Sequence, residues 1–248
     1  MACHGGPDIV EDNLVLCLDA GNTKSYPGTG TAWNDVSGDG NNSTVDGATF
    51  NTNLFDFDGT NDNVQIPNIT VDDSLFSGTN NFTVEFWFNA DDLPANGGTD
   101  WQYSQVLLGG GTHNLYVNFG DSLDDKEVGV RIQDGDGGSW ISPVGSGADT
   151  INNNTWYNVI VTYNSSSGWV LYLNGDQKET SATVGDFGGT FNDENNRLIG
   201  CLRDNTSSSS YQNRFFDGKI SICRIYDTVL TAAEVKQNFD AQKGRFGL

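Results

Sequence analysis

Oxygen donors crowd one stretch of the chain, Asp35-Val36-Ser37-Gly38-Asp39-Gly40-Asn41-Asn42. A hard cation such as Ca2+ takes about six to eight oxygens, and Asp, Asn and Gly supply side-chain and carbonyl oxygens on a pliant backbone. Asp35, Asp39, Asn41 and Asn42 are therefore candidate Ca2+ ligands. The loop is not an EF-hand, because no Glu closes it at the twelfth position. Each Asp is equally able to start a turn by accepting backbone N–H bonds without any metal.

Rings in polar surroundings form a second group. Sugars stack their apolar CH faces on aromatic rings and pair their hydroxyls with amides, carboxylates and main-chain groups. Trp101, Tyr103, Trp140 and Tyr211 fit that role, Trp101 best, because Gly97 to Asp100 offer nothing local to bury it. The same rings would also suit the cover of a sheet edge or a protein interface. Catalytic groups are poorly placed by comparison. Glu85 stands alone on its strand with Asp91-Asp92 following in a loop, and His4 and His113 have neither nucleophile nor orienting acid nearby. Gly109-Gly110-Gly111 lacks the Lys-Ser/Thr of a phosphate cradle. No enzymatic activity is expected.

The elements that must position these groups are strands. From Trp156 to Tyr163 the odd positions Tyr157, Val159, Val161 and Tyr163 are apolar, the period of two of a strand with one face on a core. Asn164 to Gly168 turns the chain, Trp169, Leu171 and Leu173 share the next inward face, and Asn174-Gly175 is suited to a tight hairpin. Phe82 to Ala90 alternates in the same way, with Phe82, Val84, Phe86 and Phe88 on the core side. Further strands are predicted at Asn13 to Asp19, within Phe55 to Pro67, at Gln105 to Leu108, Leu115 to Phe119, Val128 to Gln133, Arg197 to Leu202 and Lys219 to Tyr226. One helix follows, with Thr231 and Glu234 as a capping box and Leu230 against Val235 as a staple.

Composition narrows the function classes. A chain of 248 residues fits one domain, and 14 Phe, 8 Tyr and 6 Trp supply the core. Lys+Arg 12 against Asp+Glu 33 gives a net charge of −21. Nucleic acid and anionic membrane are thereby disfavoured, since both need clustered basic residues. No run approaches the ~20 apolar residues of a membrane span, and no secretory signal is visible at the N-terminus. The four cysteines have no metal spacing.

The segments WYNVIVTYNSSSGWVLYLNGDQKE, FDFDGTNDNVQIP, FTVEFWFNA and FFDGKISICRIYDTVLTAAEV occur in an order that resembles laminin G-like domains of the concanavalin A-like superfamily. That resemblance implies an all-β, two-sheet antiparallel jelly-roll sandwich over residues 13–230, after an arm at 1–12 and before a helix and tail at 231–248. It also implies a structural Ca2+ where the early loop meets a rim turn, so that Asp58 and Asp217 of the two "FDG" turns would join Asp35. Glucanases of the superfamily carry an E-x-D-x-x-E strand, which this chain lacks.

The opening HGGPDIVEDNLVLCLDAGNTKSYPGTGTAWNDVSGDGNN and the ending YDTVLTAAEVKQNFDAQKGRFGL are similar to laminin G-like virion proteins of tailed bacteriophages. From this follow expectations of a virion-surface protein made in the host cytoplasm, as a capsid decoration or tail-fibre component. Its expected partners are other virion proteins, cell-surface glycans and a second copy of itself. Both ends, Met1 to Asp12 and Gln242 to Leu248, are read as tails beyond the compact module, able to order on a partner surface. Cys17 and Cys223 would lie on neighbouring strands; a disulfide between them is conceivable, and two buried reduced thiols are expected in the absence of an export signal.

Overall fold

In the computed structural model, residues 8–67, 69, 75–76, 80–93, 104–109, 115–120, 126–133, 140–148, 150–185, 197–204 and 211–248 are described. The strands are β1 (Leu14–Asp19), β2 (Ala32–Trp33), β3 (Ser43–Asp46), β4 (Thr49–Asn51), β5 (Leu54–Asp58), β6 (Asn63–Ile66), β7 (Phe82–Ala90), β8 (Gln105–Gly109) and β9 (Leu115–Phe119). They continue with β10 (Val128–Gln133), β11 (Trp140–Gly145), β12 (Trp156–Asn164), β13 (Gly168–Leu173), β14 (Asp176–Ser181), β15 (Arg197–Ile199), β16 (Leu202–Asp204), β17 (Tyr211–Asn213) and β18 (Asp217–Tyr226). A single helix among the described residues, α1 (Ala232–Gln242), ends in a 3-10 turn at Lys243–Arg245.

Two antiparallel sheets face each other. The first runs β14-β13-β12-β7-β18-β5-β4, with β1 also on β18; the second runs β11-β10-β9-β8-β15-β6-β3-β2. Strand alternation explains the core between them. Phe82, Val84, Phe86 and Phe88 of β7, Tyr157, Val159, Val161 and Tyr163 of β12, and Trp169, Leu171 and Leu173 of β13 all enter one buried cluster. Leu115, Val117 and Phe119 of β9 and Val128, Val130 and Ile132 of β10 close it from the other side. The central hairpin turns at Asn174 and Gly175, both at positive φ (53° and 79°), the conformation that Asn-Gly adopts with least strain.

The Asp58-Gly59 turn joins sheets, not strands of one sheet. β5 belongs to the first sheet and β6 to the second, so the chain crosses the sandwich there. Helix α1 begins as its sequence requires: Thr231 accepts from the Glu234 N–H, Glu234 reaches back to Thr231, and Leu230 and Val235 are buried together.

Two expectations need correction. The ends of the described chain are not tails, because Ile9 and Val10 are buried, Gln242 is buried, and Phe246 stacks on Trp87 at 4.2 Å between ring centroids. The apolar and aromatic side chains placed there find a waiting sheet face. Cys17 is disulfide-bonded and not a reduced thiol, while Cys223 is free and buried. The two cannot join each other: Leu18 is the residue opposite Cys223, and Cys17 points into the cluster under α1 whereas Cys223 points into the core. Burial pushes the Cys223 thiol strongly up, with Glu85 adding to the shift, so it stays protonated. Beyond the predicted strands, β16 and β17 pair as a small hairpin.

Candidate functional site

The two sheets treat their outer faces differently, and that difference locates the site. On the first sheet, Thr83, Glu85, Trp87 and Asn89 alternate with the core residues of β7, yet all four are buried. Helix α1 covers the middle two, with Asn238 bonded to Glu85 and Phe239 stacked on Trp87. Glu85 Oε1 accepts from Arg224 Nη1 at 3.0 Å, Asn158 Nδ2 at 3.1 Å and Trp87 Nε1 at 3.1 Å, and its Oε2 accepts from Asn238 Nδ2 of α1 at 3.0 Å. Asn238 Nδ2 also donates to the Tyr226 hydroxyl, and Asn238 Oδ1 accepts from the Val10 N–H. Burial alone would lower the Arg224 pKa, but Glu85, Tyr226 and Asp19 outweigh it and hold the guanidinium charged. Burial, reinforced by Glu85, raises Tyr226. With every Glu85 oxygen engaged and no exposure, this carboxylate cannot meet a substrate; it is a structural anchor.

The second sheet's outer face has no helix on it among the described residues. Tyr116 and Asn118 of β9 and Arg131 of β10 point away from the core, because their neighbours Leu115, Val117, Phe119, Val130 and Ile132 point in. Arg131 and Tyr116 are direct cross-strand partners. The β16–β17 hairpin lies over β8: a Cβ on Gly109 would come within 3.1 Å of Leu202 Cα, and Val106, Tyr116 and Leu202 form a small apolar cluster. Just after the hairpin, Arg214 places its guanidinium carbon 5.8 Å from the Tyr116 ring centroid. Its backbone is left-handed (φ 57°), and its carbonyl accepts from the Val106 N–H at 3.2 Å. Burial and the nearby Arg214 lower Arg131 to about 10, so Arg131 remains cationic at neutral pH. Asn118 Nδ2 donates to Gly120 O, while its fully buried Oδ1 has no hydrogen-bond partner. Tyr116 and Asn118 are themselves buried, and only Arg131 and Arg214 of this group are partly exposed.

Of the predicted glycan rings, Trp101 and Tyr103 lie outside the described residues, as do His4 and His113. The backbones of Trp140 and Tyr211 are described. Trp140 pairs with Gln133 on the second sheet, two positions along β10 from Arg131, and Tyr211 pairs with Asp204 in the hairpin. Tyr116, Asn118, Arg131 and Arg214 were missed by sequence reasoning. Arg131 next to Gly129 and Gln133 in β10 is the one cue, a cation on the solvent parity of an apolar strand.

The six proposed metal residues do not form one group. Asp35 Oδ1 accepts from the N–H groups of Cys17 and Ser37, and its Oδ2 from Ser37 Oγ and the Asn41 N–H, which fills its acceptor positions. Asn42 Oδ1 accepts from the Asp35 N–H, Asn41 Nδ2 donates to Val15 O, and the Asp39 N–H donates to Ser37 Oγ. The loop is a self-bonded turn and does not fit Ca2+. Asp58 and Asp217 are opposite one another on β5 and β18. Cys17, beside Asp35, pairs with Arg224 further along β18, which sets the two groups on the order of 20 Å apart at about 3.3 Å per residue. Burial raises the Asp217 pKa, with Asp91, Asp92 and Asp56 adding repulsion and Lys219 opposing it. Among the described residues, no three acidic, His or Cys side chains converge as a ligand set.

The comparisons with known proteins agree with this architecture. The Laminin_G_3 family model, of the concanavalin A-like lectin/glucanases superfamily, matches residues 58–236. The binding domain of Paraclostridial Mosquitocidal Protein 1 superimposes with a TM-score of 0.65 at 18% identity, over 92% of this chain and 52% of that one. For the receptor binding domain of botulinum neurotoxin C/D mosaic serotype the values are 0.63, 16%, 94% and 52%. For Trypanosoma rangeli sialidase in complex with sialic acid they are 0.61, 16%, 96% and 34%. At such identities the likeness is one of fold alone, and this chain spans about half of each toxin domain and about a third of the sialidase. No curated protein matches the sequence.

Proposed function

Because the chain belongs to the concanavalin A-like lectin/glucanases superfamily, we propose that it is a non-enzymatic glycan-recognition module of a bacteriophage virion surface, as a capsid decoration or tail-fibre component. Host or environmental saccharides would bind on the outer face of the second sheet. The observation that carries this reading is the lectin/glucanase family match over residues 58–236, on a sandwich whose first sheet is sealed by α1 and whose second sheet and hairpin place the backbones of the predicted rings Trp140 and Tyr211. Glu85 supports the absence of catalysis, since the carboxylate at the centre of the first sheet is buried and saturated. The virion assignment draws on the resemblance of both chain ends to phage laminin G-like proteins.

A glycan array probed with the purified chain tests the binding, and proteomics of purified particles tests the setting. Retention on no saccharide would sink the first, and absence from particles the second. A cellular adhesion or carbohydrate-binding module is the alternative, favoured by the disulfide at Cys17, since such bonds persist in oxidising surroundings. Calcium enters only as a counter-ion for the Asp58–Asp217 rim, where it would relieve repulsion. Melting in Ca2+ against EDTA reads this directly: a rise of Tm in Ca2+ supports it, and coincident curves remove it.

A further inference from the structure

We infer that Cys17 is bonded to Cys3, and that this bond is a redox-set lock on the Ile9–Val10 segment, which it fastens against helix α1. The lock is independent of the glycan reading above. The chain has four cysteines, Cys3, Cys17, Cys201 and Cys223, and Cys17 is disulfide-bonded. A bridge needs Cα atoms within about 7 Å of one another and Cβ atoms that face each other. Cys223 fails the second condition, because it points into the core while Cys17 points away from it, into the cluster under α1. Cys201 fails the first. It follows β15 in the second sheet, against Gly109 of β8, whereas Cys17 lies on the outer side of the first sheet, and packed sheets stand ~10 Å apart. Elimination leaves Cys3, which lies outside the described residues.

Reach agrees. Ile9, Val10, Leu14 and Cys17 belong to one apolar cluster, so the chain doubles back between Ile9 and Cys17; Asn13 makes the turn at φ 60°, and the Leu14 N–H donates to Glu11 O at 3.2 Å. Cys3 stands six residues before Ile9. Six extended residues span ~20 Å, ample to return to Cys17. The closed loop holds the cover of the first sheet. The Val10 N–H donates to Asn238 Oδ1 at 2.9 Å, the Tyr226 hydroxyl donates to Val10 O at 3.1 Å, and Gln237 Nε2 donates to Asp8 O at 3.0 Å. Asn238 in turn reaches Glu85, so segment, helix and buried carboxylate form one assembly that the bond ties at its N-terminal end. In closing, the thiolate of one cysteine attacks a low-molecular-weight disulfide and releases one thiol, and the second cysteine sulfur then displaces the other. The protein sulfurs are oxidised to S–S, the small disulfide is reduced to two thiols, and the cysteine protons pass to those thiols. Cys17 is 0% exposed, which shields the finished bond from attacking thiols in the folded chain. The device therefore closes once, on passage into oxidising surroundings, and does not toggle.

The test compares the full chain oxidised with glutathione disulfide, the same chain kept in dithiothreitol throughout, and C3S. Proteolysis after Glu11 and Lys24 separates Met1 to Glu11 from Asp12 to Lys24, so that only sulfur can still join the two peptides. Mass spectrometry of the oxidised chain should find them as one species, two hydrogens below the sum of their masses. The oxidised chain should melt about 5–10 °C above the reduced one, since the bond removes freedom from the unfolded state. C3S should melt with the reduced chain whether or not oxidant is present. Peptides that run separately from the oxidised chain, or Cys3 recovered as a thiol, overturn the pairing. An oxidised chain that melts no higher than the reduced one overturns the lock. The peptide map and the oxidised–reduced comparison need no variant and so stand even if C3S fails to fold.

Discussion

The outer faces of the two sheets start from the same kind of strand and end in opposite states. On β7 the outward residues Thr83, Glu85, Trp87 and Asn89 are buried, Glu85 and Trp87 beneath α1; Glu85 accepts from Arg224, Asn158, Trp87 and Asn238, while Arg224 Nε and Nη2 and the amide oxygens of Asn89 and Asn158 have no hydrogen-bond partner. On β9 and β10 the outward residues Tyr116, Asn118 and Arg131 meet a short hairpin, and one amide oxygen is left without a partner. Polarity alone does not separate the faces, because Glu85 and Arg224 are as polar as Arg131. The kind of cover does: α1 bonds Glu85 through Asn238 on the first sheet, while on the second the β16–β17 hairpin packs Leu202 on Val106 and Tyr116.

The largest effect expected from breaking this contrast is at Glu85. Replacing either Glu85 or Arg224 alone strands a buried charge, at a cost of about 3–5 kcal/mol, which lowers Tm by roughly 10 °C in a domain of this size. The double change E85L/R224L should recover most of that loss, since it removes both desolvated charges together. Thermal melts of the two singles and the double decide it. If the double melts as low as the singles added, the pair is not an isolated ion pair and the network is held chiefly by Asn158, Asn238 and Tyr226.

How much of this was legible beforehand follows from the range of each interaction. The β7, β12 and β13 core faces and the Thr231 capping box were readable because alternation and capping act within a few residues. The anchor was not. Glu85 and Arg224 each look like a solvent-facing charge on an alternating strand, and they meet only because β18 pairs with β7. The same holds for the candidate site: Tyr116 and Arg131 become partners through register, and Arg214 comes near Tyr116 just after the β16–β17 hairpin. Strands β2, β3 and β4 are only 2, 4 and 3 residues long, too short for alternation to mark them.

The C-terminal segment is the next test in size. Phe246 stacks on Trp87 and touches Trp156 at 4.7 Å between ring centroids, while Arg245 Nη1 donates to Asp19 Oδ1 at 2.7 Å and Nη2 to Ser221 Oγ at 2.8 Å. Deleting residues Gln242 to Leu248 should therefore destabilise the domain itself by about 2–4 kcal/mol. F246A alone should account for about half. A denaturant midpoint unchanged by the deletion would mean that the segment is dispensable to the fold. Its role would then return to anchoring on a partner.

Arg131 sharpens the comparison from the other face. Removing a half-buried guanidinium beside another cation relieves repulsion while it loses packing on Tyr116, so R131Q should stay within about 0.5 kcal/mol of wild type. A large loss of stability in R131Q would make the second outer face structural, like the first.

The smallest effect is a pH slope from the acidic rim. Asp62 and Asp217 both have folded pKa values raised above 3.8, chiefly by burial and then by neighbouring carboxylates. A raised carboxyl binds its proton more tightly in the native state. Its stabilising contribution is therefore complete below pH 3.8 and lost as pH rises through the folded value. D217N removes that loss and should melt higher than wild type at pH 7, by a few tenths of a kcal/mol or roughly 1 °C. At about pH 3, where Asp217 is largely protonated in both states, the two should coincide. An advantage for D217N that persists there would trace to packing beside Gly59, where an added Cβ would come within 3.0 Å of Asp217 Cβ, and not to charge.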